Sequence, residues 1–192
     1  NPREIREKSG LIICADSGLR IAESLGIVPD LIVGDFDSYT GELPEDVEIH
    51  RSIPEKDDTD TILAVRIALE RGYREIQLYG GLGARFDHSF ANIQTLIFAY
   101  EKGCEMTICD PDNVLTLRGA GEYEFPCKND WYFSIFALTE KAEIGELKGV
   151  KYPLESYEMT MGYPIGVSNE ITADKAYLRI NSGIVLVIES KK

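Results

Sequence analysis

Along the N-terminal part of the chain two apolar patterns alternate. Runs that are apolar almost throughout, "GLIICAD", "DLIVGD", "EIQLYGG" and "EMTICD", predict buried strands. Between them apolar positions recur at helical spacing. "GLRIAESLG" predicts a short helix closed by Gly26. "DTDTILAVRIALERG" predicts a longer one, with Ile62, Leu63, Val65, Ile67 and Leu69 on one broad face and Gly72 at its stop. "DHSFANIQTLIFAYEKG" predicts a third, ending at Gly103, and the opening "NPREIREKSG" is also helix-like. Strands apolar on both faces and spaced by amphipathic helices predict a parallel sheet covered by helices.

After about Gly119 the helical period stops. "GEYEFP", "WYFSIFALT", "AEIGELKGVKYPL", "YEMTMG" and "AYLRINSGIVLVIES" are short strand candidates broken by Gly and Pro. "INSGIV" predicts a hairpin, with Asn181, Ser182 and Gly183 in its loop. The expected architecture is therefore an α/β domain over residues 1–119 and a smaller antiparallel β-sandwich over residues 120–192, packed closely together. The opening helix-like segment has no strand and no initiator Met before it, so a first strand is expected to be missing from the α/β part. Trp131, with Tyr132, Phe133 and Phe136, is expected to pack in the β core.

Charge narrows the partners. Thirty-three acidic residues against 20 basic ones give a formal charge of −13. Duplex nucleic acid and anionic membrane surfaces need basic patches, so neither is expected as a partner. A nucleotide remains compatible, because carboxylates can hold a metal ion that carries its phosphates. No apolar run approaches the ~20 residues of a membrane span, and no signal peptide is seen. Cys14, Cys104, Cys109 and Cys127 form no CxxC pair, and two histidines are too few for an expected zinc site. Free thiols in mostly apolar surroundings imply a reducing, cytoplasmic setting.

In parallel sheets ligands bind beyond the carboxyl ends of the strands. "CADSG", "GDFD", "YGGLG" and "CDPD" all lie at such ends. In "GDFDS", Asp35 and Asp37 are two apart in an extended segment and point the same way. They either cap turns or share a cation, since close carboxylates otherwise repel. "EKDDTDT" opens a helix, where the dipole favours negative charge; Asp57 and Asp60, three apart, can share a face. A single capping aspartate does not account for three. In "YGGLGARFDHS" a Gly-rich turn can bring backbone N–H groups to a phosphate, and Arg85 can pair with its oxygens. Asp87 and His88 either cap the following helix or touch ribose or base. "GVSNEIT" is a polar island in the β part: a turn, or a reader of a small polar ligand.

Taken together, "ADSG", "GIVPDLIVGDFDS", "EKDDTDT", "GGLGARFDH" and "SNE", in this order and spacing, resemble the thiamin pyrophosphokinase family over nearly the whole chain. The resemblance implies a Rossmann-like parallel α/β domain, a C-terminal β-sandwich that binds thiamin, and a homodimer with thiamin in a cleft between subunits. It implies ATP-dependent transfer of a pyrophosphoryl group to the thiamin hydroxyl, giving thiamin diphosphate and AMP. By the same resemblance Asp35, Asp37 and Asp60 hold Mg²⁺ against the ATP phosphates, and Asp57 supports them or takes the hydroxyl proton. Asp16, Ser17, Gly18, Thr59, Gly81, Gly83, Arg85, Asp87 and His88 are the implied nucleotide contacts, and Ser168 and Asn169 the implied thiamin contacts. Ser17 and Ala84 stand where the family often has glycine. Two rivals share these features: a pyrophosphokinase for another acceptor, such as a hydroxymethylpterin, and a thiamin- or nucleotide-binding regulator without turnover.

Overall fold

Leu31, Ile32 and Val33 have no exposed surface, and they form the centre of a three-stranded parallel sheet. In this computed structural model, which describes residues 2–35, 44, 46–51, 58–83 and 85–192, strand β2 (Leu31–Gly34) lies between β1 (Ile13–Ala15) and β3 (Glu48–Arg51). Helix α1 (Pro2–Lys8) precedes β1. Helix α2 (Gly18–Ser24) covers one face, its Leu19 and Ala22 packing with Cys14 and Ile32. Helix α3 (Asp60–Glu70) covers the other, with Ile67 against Leu31 and Val33. Burial on both faces is what an unbroken apolar run requires.

Helix α3 leads to β4 (Glu75–Tyr79), then α4 (Phe86–Glu101) and β5 (Glu105–Cys109). Gly72 and Gly103 follow the two helices at φ +88° and +69°, the left-handed conformation that a glycine stop provides. Strands β4 and β5 pair in parallel, as the βαβ pattern predicts. The parallel run then ends. "CDPD" follows the carboxyl end of β5, as its position in the sequence implies. It makes a tight turn in which Asp110 Oδ1 accepts from the Asp112 N–H (2.8 Å) and the Asn113 side-chain amide (3.2 Å). A turn that short can only return the chain antiparallel, and β6 (Asn113–Arg118) does so. The single parallel sheet is thereby corrected to a small parallel sheet plus a separate mixed one, within a mixed α/β fold.

The mixed sheet runs β4-β5-β6-β12-β8, with β8 at Trp131–Ala137 and β12 at Val185–Lys191. A four-stranded antiparallel sheet packs on it in the order β10-β9-β11-β7: β7 is Gly121–Pro126, β9 Lys141–Lys148, β10 Leu154–Thr160 and β11 Lys175–Ser182. The mixed sheet is a middle layer. One face, with Ile108, Leu115, Leu117 and Leu186, meets the helices at Val65, Leu96 and Ala99. The other, with Phe133, Ile135, Val185 and Val187, meets Ile144, Leu147, Leu178 and Ile180 of the outer sheet.

The expected β11–β12 hairpin does not form. Strand β11 pairs with β7 and β9, and β12 with β6 and β8. The Gly183 turn, at φ +85°, carries the chain from one sheet to the other. A Cβ there would stand 2.5 Å from the Lys141 carbonyl. The cause is visible in "VLV" of β12, which is buried on both sides and so belongs at the centre of the middle layer. Trp131 is also not core. It is half-buried at the start of β8 with Lys128 Nζ 5.0 Å above its ring, while Phe133 takes the buried place.

Among the described residues, β1 and β4 each pair on one side only. Their open edges line a common cavity of about 1040 Å³, whose wall includes Thr61, Ala64 and Ala68 of α3. All four cysteines are free: Cys14 and Cys104 buried, Cys109 partly so, Cys127 exposed. Burial pushes the Cys14 thiol up to about 11, which leaves it inert at neutral pH.

Candidate active site

Two sequence-predicted residues stand at the carboxyl ends of adjacent strands. Ala15 and Val33 are register partners, so Asp16 leaves β1 opposite Gly34, one residue before Asp35. Asp16 stands at φ +45°, and its N–H donates to the Val33 carbonyl at 2.8 Å, which ties the "ADSG" turn to β2. Asp16, Ser17 and Asp35 are exposed, and Gly18 opens α2.

Helix α3, which packs on this sheet, begins with the next group. Thr59 is its N-cap: the hydroxyl accepts from the Ile62 N–H at 3.3 Å. Asp60 is the first helical residue, where the helix dipole favours a carboxylate. Asp58 is turned to Arg66 at 3.2 Å, which explains one carboxylate of the run as an ion pair. Asp37 and Asp57 lie outside the described residues. Among the described residues no three metal-binding side chains form one cluster. The chemistry of the donor set nevertheless suits one kind of ion. Asp35 and Asp60 offer hard carboxylate oxygens and no nitrogen or sulfur, as a hydrated Mg²⁺ prefers.

The glycine turn is shaped by α4. Gly81 is buried against Leu78 and Ile108, and a Cβ there would lie 2.7 Å from Leu78 Cδ2. Asn92 Nδ2 donates to the Gly81 carbonyl at 2.7 Å, and the Gly83 N–H donates to Ser89 Oγ at 3.1 Å. Gly83's own N–H is thus already bonded within the protein. Ser89 and Asn92 were not singled out from the sequence. Their signal was present: Ser89, Asn92 and Thr95 repeat every three residues as polar positions buried on one side of an otherwise apolar helix.

Beside this turn Arg85 and Asp87 are exposed and paired, Nη2 to Oδ2 at 2.7 Å and Nε to Oδ1 at 3.3 Å. The guanidinium holds the Asp87 carboxyl below the usual range, and Asp87 also accepts from the His88 N–H at 3.0 Å. His88 is exposed one residue further on. An incoming phosphate would therefore share Arg85 with Asp87.

The acceptor candidates lie far along the chain, beside β8. Ser168 is exposed at φ +57°, and its N–H donates to the buried Ser134 Oγ at 3.0 Å. Asn169 is 7% exposed, and its side-chain amide is engaged with backbone groups. Glu170 sits between Lys151 Nζ (2.9 Å) and Lys192 Nζ (2.5 Å), which hold its carboxyl down to about 2.

Residues 3–108 match the family described as thiamin pyrophosphokinase, catalytic domain, and residues 122–185 match thiamin pyrophosphokinase, vitamin B1 binding domain. The thiamine pyrophosphokinase of Bacillus subtilis is 32% identical over 186 residues, 94% of this chain and 87% of that one. The crystal structure of a thiamine pyrophosphokinase from the same organism superposes with a TM-score of 0.87 at 28% identity, covering 98% of this chain and 92% of that one. The thiamin pyrophosphokinase of Geobacillus thermodenitrificans gives 0.83 at 29% identity, covering 100% of this chain and 94% of that one.

Proposed function

The chain belongs to the thiamin pyrophosphokinase family, and on that premise we propose how its own residues divide the reaction. The activity is transfer of a pyrophosphoryl group from ATP to the hydroxyl of thiamin, giving thiamin diphosphate and AMP. The thiamin oxygen forms a bond to the β-phosphorus, the bond from that phosphorus to the α,β-bridging oxygen breaks, and AMP carries that oxygen away. Such a step asks for positioning and for neutralised charge more than for covalent catalysis.

Asp35, Asp37 and Asp60 hold Mg²⁺ in this reading, and the ion when bound neutralises phosphate charge that the acidic rim would otherwise repel. Asp57 supports them or receives the hydroxyl proton. Asp16, Ser17, Gly18 and Thr59 line the nucleotide side, where the Asp16 turn is tied to β2 and Thr59 fixes the start of α3. Gly81, Gly83, Arg85, Asp87 and His88 form its other wall, with Arg85 supplying the cation for a phosphate. Ser168 and Asn169 stand on the acceptor side, Ser168 exposed and Asn169 almost fully buried beside it.

Residues 1–119 act as the nucleotide part and 120–192 as the thiamin part, in a homodimer of the reducing cytoplasm. Exposed Tyr163, Ile165 and Val167, immediately before Ser168, support a second subunit at that edge. The free thiols support the compartment. No helix among the described residues is long and apolar enough to cross a membrane.

The observation that carries this reading is the match of both halves of one chain, in order, to the catalytic and the vitamin-binding parts of one family. Incubation with thiamin and MgATP should release AMP in step with thiamin diphosphate, and excess chelator should stop it. Thiamin binding without AMP would favour a regulator, and turnover of a pterin alcohol in its place would favour another acceptor.

A further inference from the structure

Residue 169 lies between strand β8 and the segment 150–152 and serves both. Its backbone carbonyl accepts from the Phe133 N–H of β8 at 2.8 Å. On its other side runs the segment 150–152, where Val150 bridges Ile171 and the Lys151 N–H donates to the Glu170 carbonyl at 2.9 Å. That register places Tyr152 opposite Asn169. Here the ladder is made by a side chain. Asn169 Oδ1 accepts from the Tyr152 N–H at 3.0 Å, and Nδ2 donates to the Tyr152 carbonyl at 2.8 Å. Oδ1 also accepts from the Glu170 N–H at 2.9 Å. The carboxamide copies a peptide group. It is needed where Ser168 turns into the left-handed region and where Pro153, next after Tyr152, brings no N–H.

A carboxamide has two N–H donors and an oxygen with two lone pairs. Both lone pairs and one N–H are taken by backbone, and the residue is 7% exposed. We propose that Asn169 is a positioning residue of the acceptor site: its amide replaces the β-ladder at Tyr152 and so fixes Ser168 and the exposed Tyr152 in one rigid frame with β8, without itself binding the acceptor. This rests on the reading of Ser168 as an acceptor contact. Ser134 completes the frame from the other side through its bond to the Ser168 N–H.

The test combines a readout without ligand and one with it. In unliganded Asn169→Ala, amide hydrogen exchange at Tyr152 and Glu170 should quicken about tenfold or more, as expected for lost bonds of about 1–3 kcal/mol. The thiamin KM should rise about tenfold, with the ATP KM unchanged and kcat changed less than KM. The penalty should persist with thiamin analogues that lack the ring amine or a pyrimidine nitrogen, because a positioning residue has no partner group on the ligand. Asn169→Ser, whose shorter hydroxyl stands where the Asn Cγ does, also removes the carboxamide bonds to Tyr152 and carries the same readings if the Ala variant does not fold. Unchanged exchange at Tyr152 and Glu170 overturns the proposal, and so does a penalty that vanishes with one analogue. Failure of the wild-type chain to bind thiamin would count against the acceptor reading instead; the exchange arm needs no ligand and separates the two.

Discussion

The β body and the acidic rim use their polar groups in opposite ways. In the body, Asn169, Ser134, Thr139 and Glu170 are bonded to backbone or to lysines within the fold. No buried side-chain nitrogen or oxygen among the described residues lacks a partner. At the rim, Asp16, Ser17, Asp35 and His88 stand exposed around strand and helix ends, and Arg85 and Asp87 pair with each other at the surface. A polar residue in a β segment is first a candidate partner for backbone. Several carboxylates gathered where buried strands end are first candidates for a ligand.

That contrast predicts a double dissociation. Ile144→Ala, at a fully buried position between the sheets, should cost about 2–5 kcal/mol of stability. Its activity per folded molecule should stay at the wild-type level. Thermal melting and active-site titration together check this, and a large fall in specific activity would break the division. Asp35→Asn should do the reverse: a fall in kcat on the order of a hundredfold, the several kcal/mol a metal clamp supplies, with a melting shift small beside that of Ile144→Ala. Full activity in that variant would remove the metal reading.

Asn92→Ala sharpens the boundary, because Asn92 is buried in the body yet shapes the rim through the Gly81 carbonyl. It should lose about 1–3 kcal/mol of stability and raise the ATP KM, leaving the thiamin KM as it was. A change in thiamin KM alone would move the glycine turn to the acceptor side.

The smallest effect is expected at Glu170. Its folded pKa, about 2, lies below the ordinary value of 4.5, so its contribution is present above 4.5 and lost as pH falls toward 2. The melting difference between wild type and Glu170→Gln should therefore be constant near neutral pH and shrink through that acid window. A difference that persists at pH 2 would mean packing, not charge.

Helices α3 and α4 and the buried strand β2 were legible because period and glycine stops agreed with one another. Strands β3 and β6 were not. The first is mostly exposed and carries "EIHR", and the second follows a three-residue turn inside "CDPD" that carries no glycine to mark the reversal. The β11–β12 turn shows the limit of a local signal. "INSGIV" describes a tight reversal correctly but cannot say whether its arms pair or face each other across a core. Only the double-sided burial of β12 decides that. At the rim, Asp35 and Asp60 were singled out by residue type at element ends, and Asp16 and Thr59 entered through the family resemblance. Ser89 and Asn92 were missed because their role is toward backbone, and residue type alone does not separate a buried hydrogen-bond donor from a solvated one.

The open edges of β1 and β4 have a mechanical consequence. Among the described residues, the sheet that carries Asp16 and Asp35 is joined to the rest through the packing of α3 and through bonds such as Tyr73 Oη to the Gly10 carbonyl at 3.0 Å, not through a strand ladder. It can open as a unit without breaking a hydrogen-bonded strand pair, so β1 to β3 should exchange their amides together and earlier than β9, β11 and β12. Asp35 lies on that sheet and Asp60 on the helix beneath it, so a nucleotide held by both would act as the missing fastener. Its binding should slow exchange in the small sheet far more than in the body, and the free energy of that closure would be subtracted from the affinity for ATP.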